Sequence, residues 1–219
     1  MNSNLSERPK KNRRLRAGQS SVARVAATRL PTMFGLFDLV GFERANMAKR
    51  EPETALVMML GDLQNRAPLL RIHSQCVTGE VLGSLRCDCR GQLEFAMSAI
   101  ADEGSGLVIY EYQEGRGIGL TAKLRAYALQ DHGLDTIEAN EALGFDADYR
   151  DFNLAVAVLH ELNVRQVRLM SNNPQKLEAL TKGGIEVIER IACEAPSSPH
   201  ALSYLRTKKI RMGHSLTIM

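Results

Sequence analysis

Three of the four cysteines of this chain lie close together in the sequence, as Cys76, Cys87 and Cys89. A thiolate is a soft ligand, and three thiolates within tetrahedral reach suit Zn²⁺. A structural zinc site normally has four protein ligands, whereas Cys193 lies far along the chain. We therefore predict an open, catalytic type of site, in which zinc lowers the pKa of a bound water from ~16 to ~7. The alternative is three unrelated buried residues, since free cysteine packs as a small hydrophobe.

Two turns rich in glycine or asparagine have the composition of anion sites. Residues 113–119 carry a G-x-G-x-G spacing between a predicted strand and a predicted helix, where glycines let the backbone approach a ligand. In residues 171–176, Asn173 can cap a helix that begins at Pro174, so Ser171 and Lys176 would flank an N-terminus that favours phosphate. The alternatives are a tight turn with a solvated charge pair, and an ordinary capped helix with a surface lysine.

Asp148 and Arg150 stand two residues apart before an apolar helix. They share one face only if the segment is extended, because such residues diverge on a helix. An acid–base pair therefore requires a non-helical segment here. The alternative is that Asp151 caps the next helix while the other two are solvated. His160 and His214 have no evident partners and are more typical of surface or packing residues than of ligands.

Composition excludes several classes of protein. The 219 residues are 44% hydrophobic and 24% charged, which is typical of a folded globular chain. Residues 1–29 carry eight arginines and lysines against Glu7 alone, so the +3 net charge leaves a slightly acidic body that does not suit nucleic acid. We predict a disordered basic arm over residues 1–29. A transit peptide and an RNA-contacting arm are alternatives. The short apolar runs predict no membrane span, and the clustered cysteines predict a reducing, cytoplasmic location.

The apolar patterns predict the elements that position these residues. Strands are expected at residues 30–43 with a bend at Gly35, and at 55–60, 69–73, 106–112, 166–170 and 185–190. Helices are expected at residues 91–103, 120–132, 152–162, 174–182 and 200–211. Alternating strands and helices predict a layered α/β/α catalytic domain over residues 30–219, with a mixed, mainly parallel sheet.

The motifs taken together resemble the GTP cyclohydrolase II family. They are R-I-H-S-x-C-x-T-G-E from residue 71, S-L-R-C-D-C from 84, Q-E-G-R-G-I-G-L from 113, K-x-R-A-Y-A-L-Q-D from 123, D-T-I-E-A-N from 135, L-G-F-x-x-D-x-R-D-F from 143 and S-N-N-P-x-K from 171. The resemblance runs from about residue 30 to residue 194. It implies zinc-dependent conversion of GTP to 2,5-diamino-6-ribosylamino-4(3H)-pyrimidinone 5′-phosphate, formate and pyrophosphate, the first step of riboflavin biosynthesis.

The resemblance also implies roles for individual residues. Cys76, Cys87 and Cys89 match the zinc ligands, Arg150 a nucleophile on the α-phosphate, Asp148 its base, and Tyr127 a tyrosine near the zinc. The positions that match GTP contacts are Arg71, Ile72, His73, Ser74, Gln75, Gln92, Glu114, Gly115, Arg116, Thr136, Ser171 and Lys176. Mg²⁺ would share the triphosphate charge with the basic side chains. A homodimer is implied as well.

Two residues depart from the family pattern beside the zinc ligands. Gln75 stands where the family usually has glutamate, which removes a negative charge, and Arg90 adds a positive charge next to Cys89. These departures leave open a paralogue that acts on another nucleotide or stops at a formylated intermediate. A nucleotide-binding regulator without catalysis is the alternative from another class.

Overall fold

A seven-stranded mixed sheet lies at the centre of the structure, which is a computed structural model describing residues 22–45, 51–196 and 198–217. Within those residues the strands are β1 Val22–Thr32, β2 Gly35–Arg44, β3 Glu53–Leu60, β4 Leu69–Ser74, β5 Gly106–Glu111, β6 Gln166–Met170 and β7 Glu186–Ile191. The helices are α1 Val77–Glu80, α2 Cys89–Glu103, α3 Leu120–Asp131, α4 Thr136–Ala142, α5 Asn153–Glu161, α6 Pro174–Lys182 and α7 Leu202–Arg211. All elements predicted between residues 55 and 211 are present, and α1 and α4 are additional.

The strands lie in the order β1-β2-β3-β5-β4-β6-β7. The pairings β1–β2, β2–β3 and β3–β5 are antiparallel, and β5–β4, β4–β6 and β6–β7 are parallel. The prediction of a mainly parallel sheet is therefore wrong, because half of the sheet is antiparallel. Two consecutive strands can pair in parallel only if a long crossover connection, usually a helix, joins them. The described residues contain no helix between β1 and β3, so these strands pair antiparallel.

The first two strands form a hairpin, which corrects two predictions. The segment predicted as one bent strand over residues 30–43 is divided by a turn in which Thr32 Oγ1 donates to Gly35 O at 2.9 Å. Residues 22–29 pair with β2, so the predicted arm boundary at residue 29 is wrong, and residues 1–21 lie outside the described residues. Because β1 is an edge strand with mostly exposed side chains, it can carry Arg24 and Arg29 and still be ordered.

Helices cover both faces of the sheet, which confirms the predicted layering. On one face, α5 and α6 pack through Leu159 and Leu180 against sheet residues such as Ile72 and Ile109. On the other face, α2 packs through Ile100 and its neighbours against the alternate side chains of β4 and β5, such as Leu69 and Val108. The alternation along β4 therefore places Ile72 in the core and Arg71 and His73 toward the α2 side. No helix among the described residues combines the length and the apolarity that a bilayer span requires.

Candidate functional site

The thiols of Cys76, Cys87 and Cys89 meet just beyond the carboxyl end of β4. Cys76 precedes α1, Cys87 lies in the connection to α2, and Cys89 is the first residue of α2. The three sulfur atoms lie within 4.8 Å of one another, and Cys76 Sγ is 3.6 Å from Cys87 Sγ. All are free thiols. The predicted three-cysteine cluster is therefore present, at the edge where α/β sheets usually place their sites.

The cluster has the spacing and the space that zinc requires. Zn–S bonds of about 2.3 Å in a tetrahedron place two sulfurs about 3.8 Å apart. Gly79 in α1 faces the thiols, and a Cβ on it would lie 2.9 Å from Cys87 Sγ and 3.2 Å from Cys76 Sγ. Cys193 stands apart from the cluster and donates its S–H to the Gln92 carbonyl at 3.6 Å. The three thiols therefore fit a zinc ion that has a position free for a fourth ligand.

The close approach of Gly79 gives a first testable prediction. We expect Gly79→Ala to weaken zinc binding by at least about tenfold, because the new methyl group must displace two ligand sulfurs, and changes to residues that hold metal ligands in place cost about 10- to 100-fold. Competitive titration with a chromophoric chelator measures the affinity. Far-UV circular dichroism of the metal-free protein controls for loss of the fold. Unchanged zinc affinity in a folded variant would contradict this arrangement.

Lys123 and Tyr127 of α3 stand one helical turn apart beside the thiols. Lys123 Nζ donates to Cys76 Sγ at 3.1 Å and to Glu114 Oε1 at 2.6 Å. Tyr127 Oη lies 3.3 Å from Thr78 Oγ1, which in turn lies 3.6 Å from Cys76 Sγ. Burial raises the pKa of the Tyr127 hydroxyl, so Tyr127 keeps its proton at neutral pH and can donate it in a hydrogen bond. The sequence alone did not single out Lys123, although it lies in a quoted motif.

A second group of buried cations lies on the β4 side of the thiols. Arg71 donates to the Met170 carbonyl at 3.0 Å and to Gln92 Oε1 at 2.6 Å. Lys176, at the start of α6, donates to the Ile72 carbonyl at 2.8 Å and forms no ion pair among the described residues. Burial and the neighbouring charges of Arg71 and Arg150 hold the pKa of Lys176 well below its ordinary value. An anion at this position would relieve the repulsion.

His73 is held as a neutral ring by its partners. Its Nε2 lies 2.8 Å from Glu80 Oε1, and its Nδ1 lies 3.4 Å from Arg71 Nε, which can only donate. Nε2 therefore carries the proton. Tyr110 Oη donates to the other Glu80 oxygen at 2.6 Å and its ring stacks on His73. Burial lowers the pKa of His73 to about 4, with the charges of Arg71 and Lys176 acting in the same direction.

This depressed pKa predicts a loss of stability in acid. An unfolded chain protonates His73 near its ordinary pKa of 6.5, whereas the folded chain does not until about pH 4. Falling pH therefore favours the unfolded state across that window, by about 2 kcal/mol between pH 7 and pH 5. We expect urea unfolding of His73→Gln to lack this part of the pH dependence. Identical slopes for the two proteins would contradict a neutral buried ring.

Asp148 and Arg150 form a two-pronged ion pair. The segment that holds them is non-helical, as the pairing requires, and Arg150 donates to Asp148 Oδ1 at 2.9 Å and to Oδ2 at 2.6 Å. Burial alone would raise the pKa of Asp148, but the hydrogen bonds and charge of Arg150 outweigh it and lower that pKa. Asp151 Oδ1 accepts from the Asn153 amide at 2.7 Å, but the N-cap of α5 is Phe152, which forms no side-chain capping bond. The alternative in which Asp151 caps the helix and the other two residues are solvated is therefore wrong.

Several buried side-chain atoms around the site have no hydrogen-bond partner among the described residues. These groups are Ser74 Oγ, both terminal guanidinium nitrogens of Arg116, Asn173 Nδ2 and His214 Nε2. Arg116 is also in the left-handed region with a φ of 63°, a conformation that costs about 1–2 kcal/mol in a residue with a side chain. Partnerless buried donors and a strained backbone are typical of a site that a ligand completes. An acceptor-rich ligand such as a phosphate would satisfy these groups.

The family model for GTP cyclohydrolase II matches residues 23–192. This chain belongs to the GTP cyclohydrolase II family. It is 50% identical over 198 residues to the GTP cyclohydrolase-2 of Hahella chejuensis, covering 90% of this chain and 94% of that protein. It is 52% identical over 194 residues to the enzyme of that name from Klebsiella pneumoniae strain 342, covering 88% and 95%. The prediction of the family from the motifs is confirmed.

A solved structure supports the same fold. RibBX, a two-domain 3,4-dihydroxy-2-butanone 4-phosphate synthase from A. baumannii, matches with a TM-score of 0.50 at 16% identity. The match covers 81% of this chain and 41% of that one. At this identity the likeness concerns the fold alone.

Most residues matched to GTP cyclohydrolase II positions surround two adjacent cavities. The zinc-side cavity is lined by Ser74, Gln75, Cys76, Cys87, Cys89, Glu114, Gly115, Arg116, Tyr127, Thr136 and Arg150, among others. The cation-lined cavity shares Ser74, Cys89, Arg150 and Tyr204 with it and adds Arg71, His73, Gln92, Ser171 and Lys176. Thus residues from distant parts of the chain meet in one region, as the family motifs predict.

Two matched residues, Ile72 and Asp148, line neither cavity, and Glu114 lines the zinc-side cavity but is already bonded within the chain. The Ile72 side chain is fully buried in the main core, and only its carbonyl faces the site, where Lys176 binds it. Asp148 lines neither cavity and contacts the site through Arg150. Glu114 already accepts from the Val77 amide at 2.7 Å and from Lys123. We infer that Ile72, Asp148 and Glu114 position their neighbours.

Sequence reasoning missed several residues that line these cavities or bond to the residues that do. Tyr204, Lys208 and His214 line the cation-lined cavity, although His214 was predicted to be a surface or packing residue. Asp88, Glu80 and Lys123 hold site residues through hydrogen bonds. The quoted motifs contain these last three, but the C-terminal residues lie beyond the region that the family model matches and carry no motif.

Proposed function

We propose that this chain hydrolyses GTP to 2,5-diamino-6-ribosylamino-4(3H)-pyrimidinone 5′-phosphate, formate and pyrophosphate, the first step of riboflavin biosynthesis. The observation that carries the proposal is the cluster of three thiols beside a cavity with partnerless donors, in a chain of this family. A three-ligand zinc site leaves a coordination position for chemistry, whereas a structural site closes it. The arrangement therefore supports an enzyme better than a regulator.

The reaction at the purine ring would take place in the zinc-side cavity. Cys76, Cys87 and Cys89 would hold Zn²⁺, which when bound supplies Lewis acidity beside the purine ring. Lys123 donates to the Cys76 sulfur and holds Glu114, so it fixes one ligand against α3. Tyr127, protonated at neutral pH, is placed to donate a hydrogen bond to an oxygen that gains charge in the reaction.

The proposal assigns the triphosphate to the basic residues. Arg116 directs two partnerless guanidinium nitrogens into buried space, and Lys176 is a buried ammonium without an ion pair among the described residues. Arg150 would bind the α-phosphate while Asp148 fixes its orientation through two hydrogen bonds. We also propose that Mg²⁺ accompanies the nucleotide, where it would neutralise phosphate charge that these side chains do not.

A paralogue that stops at a formylated intermediate is the second candidate, and Gln75 is the observation that keeps it. Gln75 lines the zinc-side cavity directly before a proposed zinc ligand. A neutral amide therefore stands in the cavity wall where the family usually has a carboxylate. Arg90 does not carry this alternative, because its guanidinium pairs with Glu94 at 2.8 Å on the exposed side of α2. Product identity distinguishes the two candidates.

The proposed activity is tested by metal removal and product stoichiometry. Protein stripped of metal by a chelator should not turn over GTP, and zinc with Mg²⁺ should restore turnover with one formate and one pyrophosphate per GTP. Formate is measured with formate dehydrogenase and pyrophosphate with a coupled phosphatase. A zinc-loaded protein that releases neither product would overturn the proposal.

We further propose that residues 22–217 form one catalytic domain, that the chain works in the cytoplasm, and that it acts as a homodimer. The family resemblance implies the dimer, and Val81, Leu82 and Leu85 offer apolar surface for one, with exposures of 74%, 72% and 58%. Light scattering coupled to size exclusion measures the mass. A monomer at micromolar concentration would contradict the dimer.

A further inference from the structure

The C-terminal segment, residues 198–217, forms one wall of the site although the family match ends at residue 192. Its helix α7 brings Tyr204 and Lys208 to the cation-lined cavity, and the turn after α7 adds His214. Tyr204 also lines the zinc-side cavity. This segment therefore contacts both halves of the site.

Specific bonds hold the C-terminal segment in this position. The Ser215 amide donates to the Asn172 carbonyl at 3.1 Å, which joins the segment to the turn before α6. Thr217 bonds through its amide and hydroxyl to Glu194 at 2.9 and 2.6 Å. Leu205 and Leu216 are buried together in a small apolar cluster. The position of α7 is thus fixed at several points along the segment.

Lys208 connects this segment to the centre of the site. It is buried, and its Nζ donates to Asp88 Oδ1 at 2.9 Å, between the zinc-ligand positions 87 and 89. The other oxygen of Asp88 accepts from Gln92 Nε2 at 2.6 Å, and Gln92 Oε1 accepts from Arg71 at 2.6 Å. A lysine ammonium has three donors, so one bond to Asp88 leaves two for a ligand.

The charge around Lys208 identifies the class of ligand. The cation-lined cavity has Arg71, Arg150, Lys176 and Lys208 in its wall and no aspartate or glutamate among its lining residues. Asp88 pairs with Lys208, and Asp148 pairs with Arg150. Arg71 and Lys176 form no ion pair with any carboxylate of the described residues, and two such buried cations favour an anion with several acceptor oxygens.

The Tyr204 ring supports the same cluster. Lys208 Nζ lies 4.3 Å from the ring centroid, and the Arg116 guanidinium lies 5.8 Å from it. Both distances are within the range of cation–π attraction. The ring therefore holds two cations near each other without neutralising either of them.

We propose that Lys208 is a substrate-binding residue that contacts the triphosphate, and that Tyr204 positions Arg116 and Lys208 for it. The inference rests on the proposed function, because GTP is the polyanion in question. It assigns to the C-terminal segment a part in substrate binding that the family motifs do not contain.

Binding of inorganic tripolyphosphate to the zinc-loaded protein tests this inference without turnover. We expect Lys208→Gln to raise the dissociation constant, measured by calorimetry, roughly 10-fold, the usual effect of losing one charged hydrogen bond. Lys208→Arg should recover most of the affinity. Lys176→Gln is the positive control, and Arg206→Gln, which removes an exposed charge from the same helix, is the matched control.

A second variant separates binding from folding. Removing Lys208 alone leaves Asp88 buried and unpaired, which destabilises a fold. Lys208→Met with Asp88→Asn removes both charges. We expect this double variant to fold and to retain zinc, but to bind tripolyphosphate more weakly than the wild-type protein. Wild-type affinity in this variant, beside a loss in Lys176→Gln, overturns the inference. GTP turnover by the wild-type protein is a separate result, so the proposed function stands or fails independently.

Discussion

Replacing Cys87 with serine is expected to remove bound zinc and to reduce formate release by more than about 100-fold. Serine offers an alkoxide only at high pH, so one of three ligands is lost at neutral pH. Changes to residues that merely support metal ligands already cost about 10- to 100-fold. Plasma mass spectrometry measures zinc per chain, and formate dehydrogenase measures product. The sulfur of Cys87 lies 3.6 Å from that of Cys76, so both readouts should fall together.

Cys193→Ser provides the matched control for this experiment. Cys193 is fully buried but bonds to the Gln92 carbonyl and is not part of the three-thiol cluster. This variant should keep zinc and most of its activity, with a modest loss of stability. Full activity and full zinc content in Cys87→Ser would contradict the assignment of the metal site.

Replacing Arg150 with alanine is expected to stop both pyrophosphate and formate release, with a loss of about 100- to 10,000-fold. Arg150 makes two hydrogen bonds to Asp148 and lines both cavities. Its removal therefore takes away the member of the pair that would contact the α-phosphate. Arg150→Lys should not restore activity, because an ammonium cannot reproduce the two-pronged geometry. Stopped-flow detection of pyrophosphate gives the rate of the first step.

Arg168 provides the matched control for this experiment. Arg168 pairs with Glu103 at 2.7 Å outside both cavities, so Arg168→Ala should change stability and leave product release intact. Unchanged pyrophosphate production in Arg150→Ala would contradict the proposed binding of the α-phosphate by Arg150. The Asp148 pairing raises the pKa of Arg150 and lowers that of Asp148, so this geometry favours binding of the phosphate over attack by a neutral guanidine.

The central chemistry of the site can be predicted from local spacing. Cys87 and Cys89 are two residues apart at the start of α2, so their approach to Cys76 needs only the short segment after β4. The extended pair Asp148 and Arg150 is likewise a local feature. Such features are encoded in residue type and spacing, which survive without knowledge of the tertiary fold.

The sheet directions and the C-terminal wall depend on long-range contacts. Whether β3 pairs with β5 in antiparallel fashion is decided by packing on both faces of the sheet, and no local pattern records it. Lys208 has the sequence context of a surface lysine, since Lys209 follows it and Arg206 precedes it. Its burial becomes evident only when α7 meets Asp88, 120 positions earlier in the chain. By contrast, Asp135 and Glu138 form a capping box at the start of the unpredicted helix α4, and this local signal could have revealed it.

Mass spectrometry of the nucleotide product tests the central claim most directly. Purified, zinc-loaded protein is incubated with GTP and Mg²⁺, and the products are separated under reducing conditions because the diaminopyrimidine oxidises. We predict 2,5-diamino-6-ribosylamino-4(3H)-pyrimidinone 5′-phosphate together with formate and pyrophosphate, which would also show that Gln75 is compatible with the full reaction. A formamidopyrimidine that persists, or intact GTP beside bound zinc, would contradict the account.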